Sequence, residues 1–545
     1  MPQRINNTLY MEMLLCGAES LYKDKTVVND LNVFPIPDGD TGDNMYMTLR
    51  AGCDAARSCS GNLSQVAKAA ADGMLLGARG NSGVILSRIF SGLAKGLEGL
   101  EEEEADAAAF ADAMASAVKE AYGAIPVPVE GTIITVLREG AEGASGDTLE
   151  GYFDTLLPAM DLSLEHTSDK LAVLKEAGVV DSGGAGLVCI FRGMKEALEG
   201  KTATDQPASE PAAATKALDL NKFTEDSVLE FGYCTEFLLR LTRAKTDIDA
   251  FDIKMFTEWL EANGESVVAF REGTIVKVHV HTYHPGEILS HCQQYGEFLT
   301  LKIENMALQH HQESNRNNAS FKRPKQKYGI VTVAAGEGLI AAFKECGADV
   351  VIPGGQTMNP STQDFIEAFR QINADTILVF PNNSNIKMAA EQAAGLYKEA
   401  SVRVLPSTTI GEGYYGIAFA DRDCADVEEV ISSVTEMMEA VTTGMISRAI
   451  RDAEGDGVKV VEGDFVGYQG KSILSDSPSR TDAATALLER MGAGGRDVLL
   501  AFTGCDVPED EAAQLQSELS AKYPNLEIMF NNGSQPIYDY IFVLC

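Results

Sequence analysis

The segment NVFPIPDGDTGDNM (32–45) sets two carboxylates, Asp38 and Asp40, on either side of one glycine. Hard divalent cations take oxygen ligands, and Mg²⁺ characteristically keeps one or two carboxylates together with substrate phosphates. Pro35 and Pro37 stiffen one side of this loop. On the other side Thr41, Gly42, Asp43 and Asn44 precede a helical run, offering backbone N–H groups and short polar side chains where a helix N-terminus favours an anion. The bland alternative is an Asx-type turn whose acids only cap the helix. A second segment, GARGNSGVILS (77–87), carries Gly77, Gly80 and Gly83 for close backbone approach, a hydroxyl at Ser82 and a charge at Arg79. No Lys-Ser/Thr follows it and no strand pattern precedes it, so it is not a Walker A loop; alone it reads as a glycine-rich helix–helix turn. PVEGTIITV (128–136) and VVDSGGAGL (179–187) share its small-residue character. Four such loops in one helical region, gathered at a common mouth, would make a nucleotide pocket.

A third constellation joins Cys234 to His279 and His281. Six of the seven histidines fall between 279 and 311. In VKVHVHT, alternation places Val276, Val278 and Val280 on one strand face, with Lys277, His279 and His281 on the other. Two imidazoles and a thiolate from the neighbouring YCTEF strand suit Zn²⁺. The spacing is not a zinc-finger signature, and a solvated histidine face beside a buried cysteine fits it as well. Further on, PGGQTMNPSTQD (353–364), FPNNSNI (380–386) and VLPSTTIGEG (404–413) each follow a strand pattern, where α/β sheets place ligands.

The elements that must position these residues fall into three blocks. Residues 1–200 read as helical: Asn62-x-x-Gln65 is a capping-box pattern followed by Leu63, Val66, Ala67, Ala70 and Met74 at helical spacing. Glu101–Tyr122 reads as a helix with a solvated acidic start. KTATDQPASEPAAATKA and its flank (201–222) read as a linker. Residues 223–309 hold β-branched and aromatic runs around a helical segment from Asp247 to Asn263, hence a small α+β domain. A polar stretch (310–327) closes it. From 328 to 545, strand-like YGIVTV, DVVI, TILVF and VRVL alternate with helical 337–346, 361–372 and 386–398, which is the pattern of a parallel α/β sheet. A helix at 426–441 and a further α/β unit (VLLAFTG, 508–522, LEIMF, YIFVL) follow.

Composition bounds the partners. The 545 residues carry 44 Lys+Arg against 80 Asp+Glu, a net charge of −36. So anionic a surface excludes a general nucleic-acid binder. No apolar run approaches the roughly 18–20 residues of a membrane span. The N-terminal stretch lacks a secretory h-region, and the ten cysteines show no paired-spacing framework, so the expected compartment is the cytoplasm.

Taken together, DGDTG-x-NM, GARGNSGVILS, VVDSGG and KVHVHT resemble a known family. The first 200 residues are similar to the nucleotide-binding L-subunit domain of dihydroxyacetone kinases, an antiparallel eight-helix barrel holding ATP through Mg²⁺. The whole chain resembles the kinase subunit (FakA-like) of bacterial two-component fatty acid kinases, with a middle domain and a DegV-like C-terminal region. The resemblance implies ATP-dependent phosphorylation of a fatty acid carboxylate presented by a separate DegV-type (FakB-like) fatty-acid-binding protein, and a homodimer. By position it makes Asp38 and Asp40 Mg²⁺ ligands and catalytic residues. Thr41, Gly42, Asn44, Asn81, Ser82 and Gly83 would hold phosphates, with Thr132 and Asp181 nearer the rest of the nucleotide. Dihydroxyacetone kinases place a third aspartate five residues before the pair. Val33 stands there, so Asn32, or Asp30 with a shifted loop, is the candidate third ligand. Asp43 replaces the usual small hydroxyl residue and would add charge near the phosphates unless it points away. The middle domain of these kinases carries zinc on a Cys…His-x-His set, which implies Cys234, His279 and His281, with Glu236, His284 or a water as the fourth ligand. Thr357, Ser361 and Ser407 correspond to groups that hold a fatty acid carboxylate in DegV-like proteins, although docking is the favoured role here. The alternatives are a dihydroxyacetone-type kinase, disfavoured because no sugar-binding subunit is present, and a non-catalytic DegV-like acyl-binding or scaffold protein.

Overall fold

The computed structural model describes residues 3–31, 39–100, 104–125, 127–203, 233–248, 251–272, 274–305, 325–355 and 358–545. The chain forms two compact units, Met1–Asp205 with Pro324–Cys545, and Gln206–Arg323. Both linker stretches (201–222 and 310–327) lie largely outside the described residues. Among those residues no helix is long and apolar enough to cross a membrane.

The first part of the larger unit is helical: α1 (Asn7–Asp30), α2 (Thr41–Arg57), α3 (Leu63–Gly77), α4 (Gly80–Gly96), α5 (Ala107–Gly123), α6 (Ile133–Gly143), α7 (Leu149–Glu165), two short helices α8 (Thr167–Lys170) and α9 (Ala172–Ala177), and α10 (Ser182–Leu198). The capping box at α3 is present in both directions, Asn62 accepting from the Gln65 N–H and Gln65 from the Asn62 N–H. Helix α5 starts later than its acidic run suggests. Ala105 pairs with Ile5 in an isolated bridge, and Asp106 caps the helix by accepting the Ala109 N–H at 2.9 Å. Phe110 stacks on Phe153 with centroids 5.4 Å apart inside a core that also buries Phe90 and Phe191.

The second part builds two sheets. A parallel sheet of order β6-β5-β7-β8 comprises β5 (Gln326–Ala334), β6 (Val350–Pro353), β7 (Ala374–Phe380) and β8 (Ser401–Val404). Its helices are α13 (Glu337–Cys346), α14 (Thr362–Arg370), α15 (Ser384–Leu396), α16 (Ile410–Ala418) and α17 (Val427–Ala440). A six-stranded sheet follows, ordered β13-β12-β9-β16-β14-β15, from β9 (Thr442–Arg448), β12 (Phe465–Gln469), β13 (Ser472–Ser477), β14 (Val498–Gly504), β15 (Glu527–Gln535) and β16 (Tyr538–Leu544). Only its β14–β15 pair is parallel. Helices α18 (Arg480–Arg490) and α19 (Glu509–Lys522) accompany it. The strands between 442 and 477 were not anticipated. They are short and broken by Gly and Asp, and the hairpin β10 (Ala453–Gly455)–β11 (Val458–Val460) turns through Asp456 and Gly457, at φ 50° and 76°. That Asp-Gly pair is a hairpin signal in its own right.

The smaller unit holds an antiparallel sheet, order β2-β3-β1-β4, from β1 (Tyr233–Leu241), β2 (Glu265–Glu272), β3 (Ile275–Thr282) and β4 (Gly296–Asn305), with α11 (Ile253–Asn263) and α12 (Pro285–Cys292). Val276, Val278 and Val280 are buried with Phe256 and Leu260 of α11, as their alternation requires. Helix α11 begins six residues later than its sequence pattern suggests, because Asp252 caps it by accepting the Lys254 N–H at 2.9 Å.

Within the larger unit, α14 and α15 pack on α3 and α4. Ala78 and Val84 of the helical part join Phe365, Phe369, Ile386 and Ala389 in one buried cluster. Gln392 donates to the Leu75 carbonyl at 2.7 Å and to Thr362 Oγ1 at 3.1 Å, and the Thr362 N–H donates to the Ala78 carbonyl at 3.1 Å. Phe365→Ala empties a fully buried site in this seam. The expected loss is about 3–5 kcal/mol, read as an earlier urea midpoint for the transition of the larger unit.

Candidate functional site

The N-termini of α2, α4, α6 and α10 converge on a cavity of about 310 Å³. Seven of the residues singled out in the sequence line it together: Asp40, Thr41, Asn44, Asn81, Ser82, Thr132 and Asp181. Ile85, Ile125, Val127, Val129 and Ile134 give it an apolar side. Its only charged lining side chains among the described residues are acids, Asp40 and Asp181. An anion there meets helix N-termini and backbone donors rather than a lysine or arginine.

Each element has a local cause. Asp40 begins α2, buried to 8% exposure, and its Oδ2 accepts from Asn359 Nδ2 at 2.5 Å. Asp43, in the first turn of α2, points away from the cavity: Lys25 Nζ and Asn29 Nδ2 of α1 each donate to it at 2.7 Å. Asn29 Oδ1 also accepts the Gly42 N–H at 2.7 Å. The extra charge is therefore neutralised against α1. Gly80, at φ 58°, opens α4 where a Cβ would lie 2.6 Å from Asn44 Nδ2, so glycine is needed both for conformation and for space. Asn81 lines the cavity, and its buried Oδ1 has no hydrogen-bond partner among the described residues. Thr132 caps α6 and donates to the Val129 carbonyl at 2.8 Å. Asp181 caps α10 by accepting the Gly184 N–H at 2.7 Å. Burial pushes its carboxyl up to about 6, against the pull of the Gly184 and Ile133 N–H groups, which favour the charged form.

Gly42 and Gly83 do not line the cavity. A Cβ at Gly42 would meet the Lys25 carbonyl of α1, and one at Gly83 would meet Thr48 Oγ1 of α2, so both serve helix packing. Asn32, Val33 and Asp38 lie outside the described residues. Among the lining residues not singled out in the sequence are Ser182, Asn385 and Met388. Ser182 donates to Thr41 Oγ1 at 3.3 Å, and Asn385 and Met388 of α15 close one wall of the cavity. Asn385 stands in FPNNSNI, a motif whose chemistry was legible but whose destination was not.

The cavity suits a hard cation in donor chemistry, since a carboxylate at Asp40 and an orphaned amide oxygen at Asn81 are both oxygen ligands. Among the described residues no group of three or more His, Cys, Asp or Glu side chains is placed to hold a metal. The side chains of Cys234, Glu236, His279 and His281 lie outside what is described. Their backbone register sets Cys234 opposite His281 and Glu236 opposite His279 on adjacent strands. His284 caps α12.

In the C-terminal part, Ser361 caps α14 in a reciprocal box with Asp364. Ser407 accepts the Asn382 N–H at 3.1 Å, and Thr357 lies outside the described residues.

Three family models match the chain: a DAK2 domain over residues 35–196, the FakA-like (fatty acid kinase) middle domain over 230–313, and the FakA-like C-terminal domain over 329–544. The chain is 38% identical over 554 residues to Protein YloV of Bacillus subtilis (strain 168), covering 98% of each. It is 36% identical over 563 residues to an uncharacterized protein of Staphylococcus epidermidis, covering 100% of each. Among solved structures it is similar to the dihydroxyacetone kinase from C. freundii in complex with AMP-PNP and Mg²⁺, with 19% identity, TM-score 0.29, and coverage of 36% of this chain and 35% of that one.

Asp181 makes stability depend on pH. Its folded carboxyl holds a proton more tightly than the unfolded one, so its contribution is present below about pH 4 and lost as pH rises through about 6. Asp181→Asn removes the charge and keeps an acceptor for Gly184. The melting temperature of the variant minus that of the parent is expected to grow from pH 4 to 6.5 and then level off; a difference flat with pH contradicts this.

Proposed function

Because the chain belongs to the FakA-like family of fatty acid kinases, we propose that it transfers the γ-phosphoryl group of ATP to a fatty acid carboxylate held by a separate fatty-acid-binding protein, giving acyl phosphate and ADP. The observation that carries this is the cavity where four helix N-termini meet Asp40 and, among the described residues, no cationic side chain. Such a place accepts phosphate oxygens through N–H groups and hydroxyls, and needs cations to neutralise the remaining charge.

Thr41, Asn44, Asn81 and Ser82 are the phosphate-facing residues in this reading. Asp38 and Asp40 would hold Mg²⁺, with Asn32 the candidate third ligand. When bound, Mg²⁺ offsets the charge that develops on the transferring phosphoryl group. Ile125, Val127 and Val129 offer an apolar face to the base, with Thr132 and Asp181 beside the sugar. The acceptor carboxylate is already ionised at neutral pH and needs no general base. The chain's work is then orientation and water exclusion, which fits a site with no histidine among its described lining residues.

In the middle unit we place Zn²⁺ on Cys234, His279 and His281; the register of Cys234 opposite His281 supports it. The family resemblance also favours a homodimer and the antiparallel eight-helix barrel for the N-terminal helices.

The decisive assay mixes the protein with ATP, Mg²⁺ and a lipid-loaded carrier, and measures acyl phosphate with and without the carrier. Asp38→Ala and Asp40→Ala should each lower the yield by more than the roughly 10–100-fold typical of losing an outer hydrogen-bond partner of a metal ligand; full ADP production by either would overturn the assignment. Cys234→Ser should lose stoichiometric zinc by elemental analysis, and retained zinc would remove the metal from this cysteine.

A further inference from the structure

Asp40 belongs to the helical part of the larger unit, yet it accepts a hydrogen bond from the α/β part. Asn359, on the loop between β6 and α14, is 2% exposed and gives its Nδ2 to Asp40 Oδ2 at 2.5 Å. It is held from behind. Arg79 Nη1 donates to the Asn359 carbonyl at 2.7 Å and lies 3.6 Å from Asp364 Oδ2, the same carboxylate that closes the capping box of α14. Arg79 and Ser361 also form an isolated antiparallel bridge, and the missing Cβ of Gly80 leaves room for the amide. The side-chain oxygen of Asn359 is buried with no hydrogen-bond partner among the described residues. Packing alone does not ask for such a residue: an apolar side chain would fill the seam without stranding an acceptor.

We propose that Asn359 is a positioning residue for Asp40, so that the α/β part of the chain sets the cation affinity of a site whose ligands lie in the helical part. This rests on reading Asp40 as a cation ligand. A ligating carboxylate left without its outer hydrogen-bond partner can turn, and loss of such partners typically lowers metal affinity 10–100-fold. The loop order that carries Asn359 is itself built from Arg79 and Asp364, so the amide arrives already aimed.

The test uses the full chain and Mn²⁺ alone, with free Mn²⁺ read by electron paramagnetic resonance and melting temperature followed in parallel. Asn359→Ala should weaken Mn²⁺ binding about 10-fold. Gln392→Ala, which cuts the same seam away from Asp40, should leave binding within about twofold. Equal losses in the two variants, or no loss in Asn359→Ala, overturn the proposal. Should Asn359→Ala fail to fold, Asn359→Asp decides. It is isosteric and sets a second carboxylate against Asp40, a pair that cannot both ionise without a cation. Mn²⁺ should then raise its melting temperature by more than it raises that of the parent, and an equal or smaller rise overturns the proposal. If the parent binds no Mn²⁺ and Asp40→Ala changes nothing, it is the reading of Asp40 that fails, a result distinct from either outcome above.

Discussion

In the proposed reaction a triply or quadruply charged phosphate chain must be accommodated by a protein that is itself strongly anionic, and this constraint governs the larger unit. With a net charge of −36 the chain has no long-range attraction to offer such a ligand. What it offers is local. Four helices present their N-termini at one cavity, each with first-turn N–H groups that lack an intrahelical partner and the positive end of its dipole. Asp43, an acid in the first turn of α2, is tied back to Lys25 and Asn29 on α1. Asp40 stays at the cavity, where a carboxylate is useful only as a handle for cations.

The same constraint explains why the cavity has walls from distant parts of the chain. A site that neutralises charge by short-range dipoles must exclude water to be effective. Helices of the first 200 residues close most of it, and α15 supplies Asn385 and Met388 for the rest. The seam that brings α15 there is apolar, built on Phe365, Phe369 and Ile386 against Ala78 and Val84, and its edges are satisfied by Gln392 and Thr362. Burial of apolar surface thus fixes the position of polar groups, which is the order of cause expected when the seam is dry and the polar contacts are few.

Much of this was legible in the residues. Asn62 and Gln65 announced a helix start, Glu337–Cys346 matched its predicted helix, and the alternation from Tyr328 onward announced a parallel sheet. Local signals and the family resemblance together located seven of the residues that line the cavity. What escaped was destination rather than motif. Asn359 and Asn385 stand in segments that the sequence marks as polar stretches after strands, and they reach the cavity region only when α14 and α15 pack on α3 and α4. Residues 442–477 hide because their strands are short, with small residues such as Gly444 and Gly467 packed against Met491 and Leu487, so no apolar alternation marks them. Gly42 and Gly83 stood in the right motifs for a different reason: both are spent on helix contact.

Trp259 stacks face to face on His291, with ring centroids 3.5 Å apart and planes within 6°. It is the sole indole in the chain. Intrinsic tryptophan fluorescence of this protein is therefore a private channel of the smaller unit, tuned by one imidazole whose proton affinity burial has already lowered. An emission spectrum followed through denaturation would watch that sheet come apart while the larger unit unfolded in the dark.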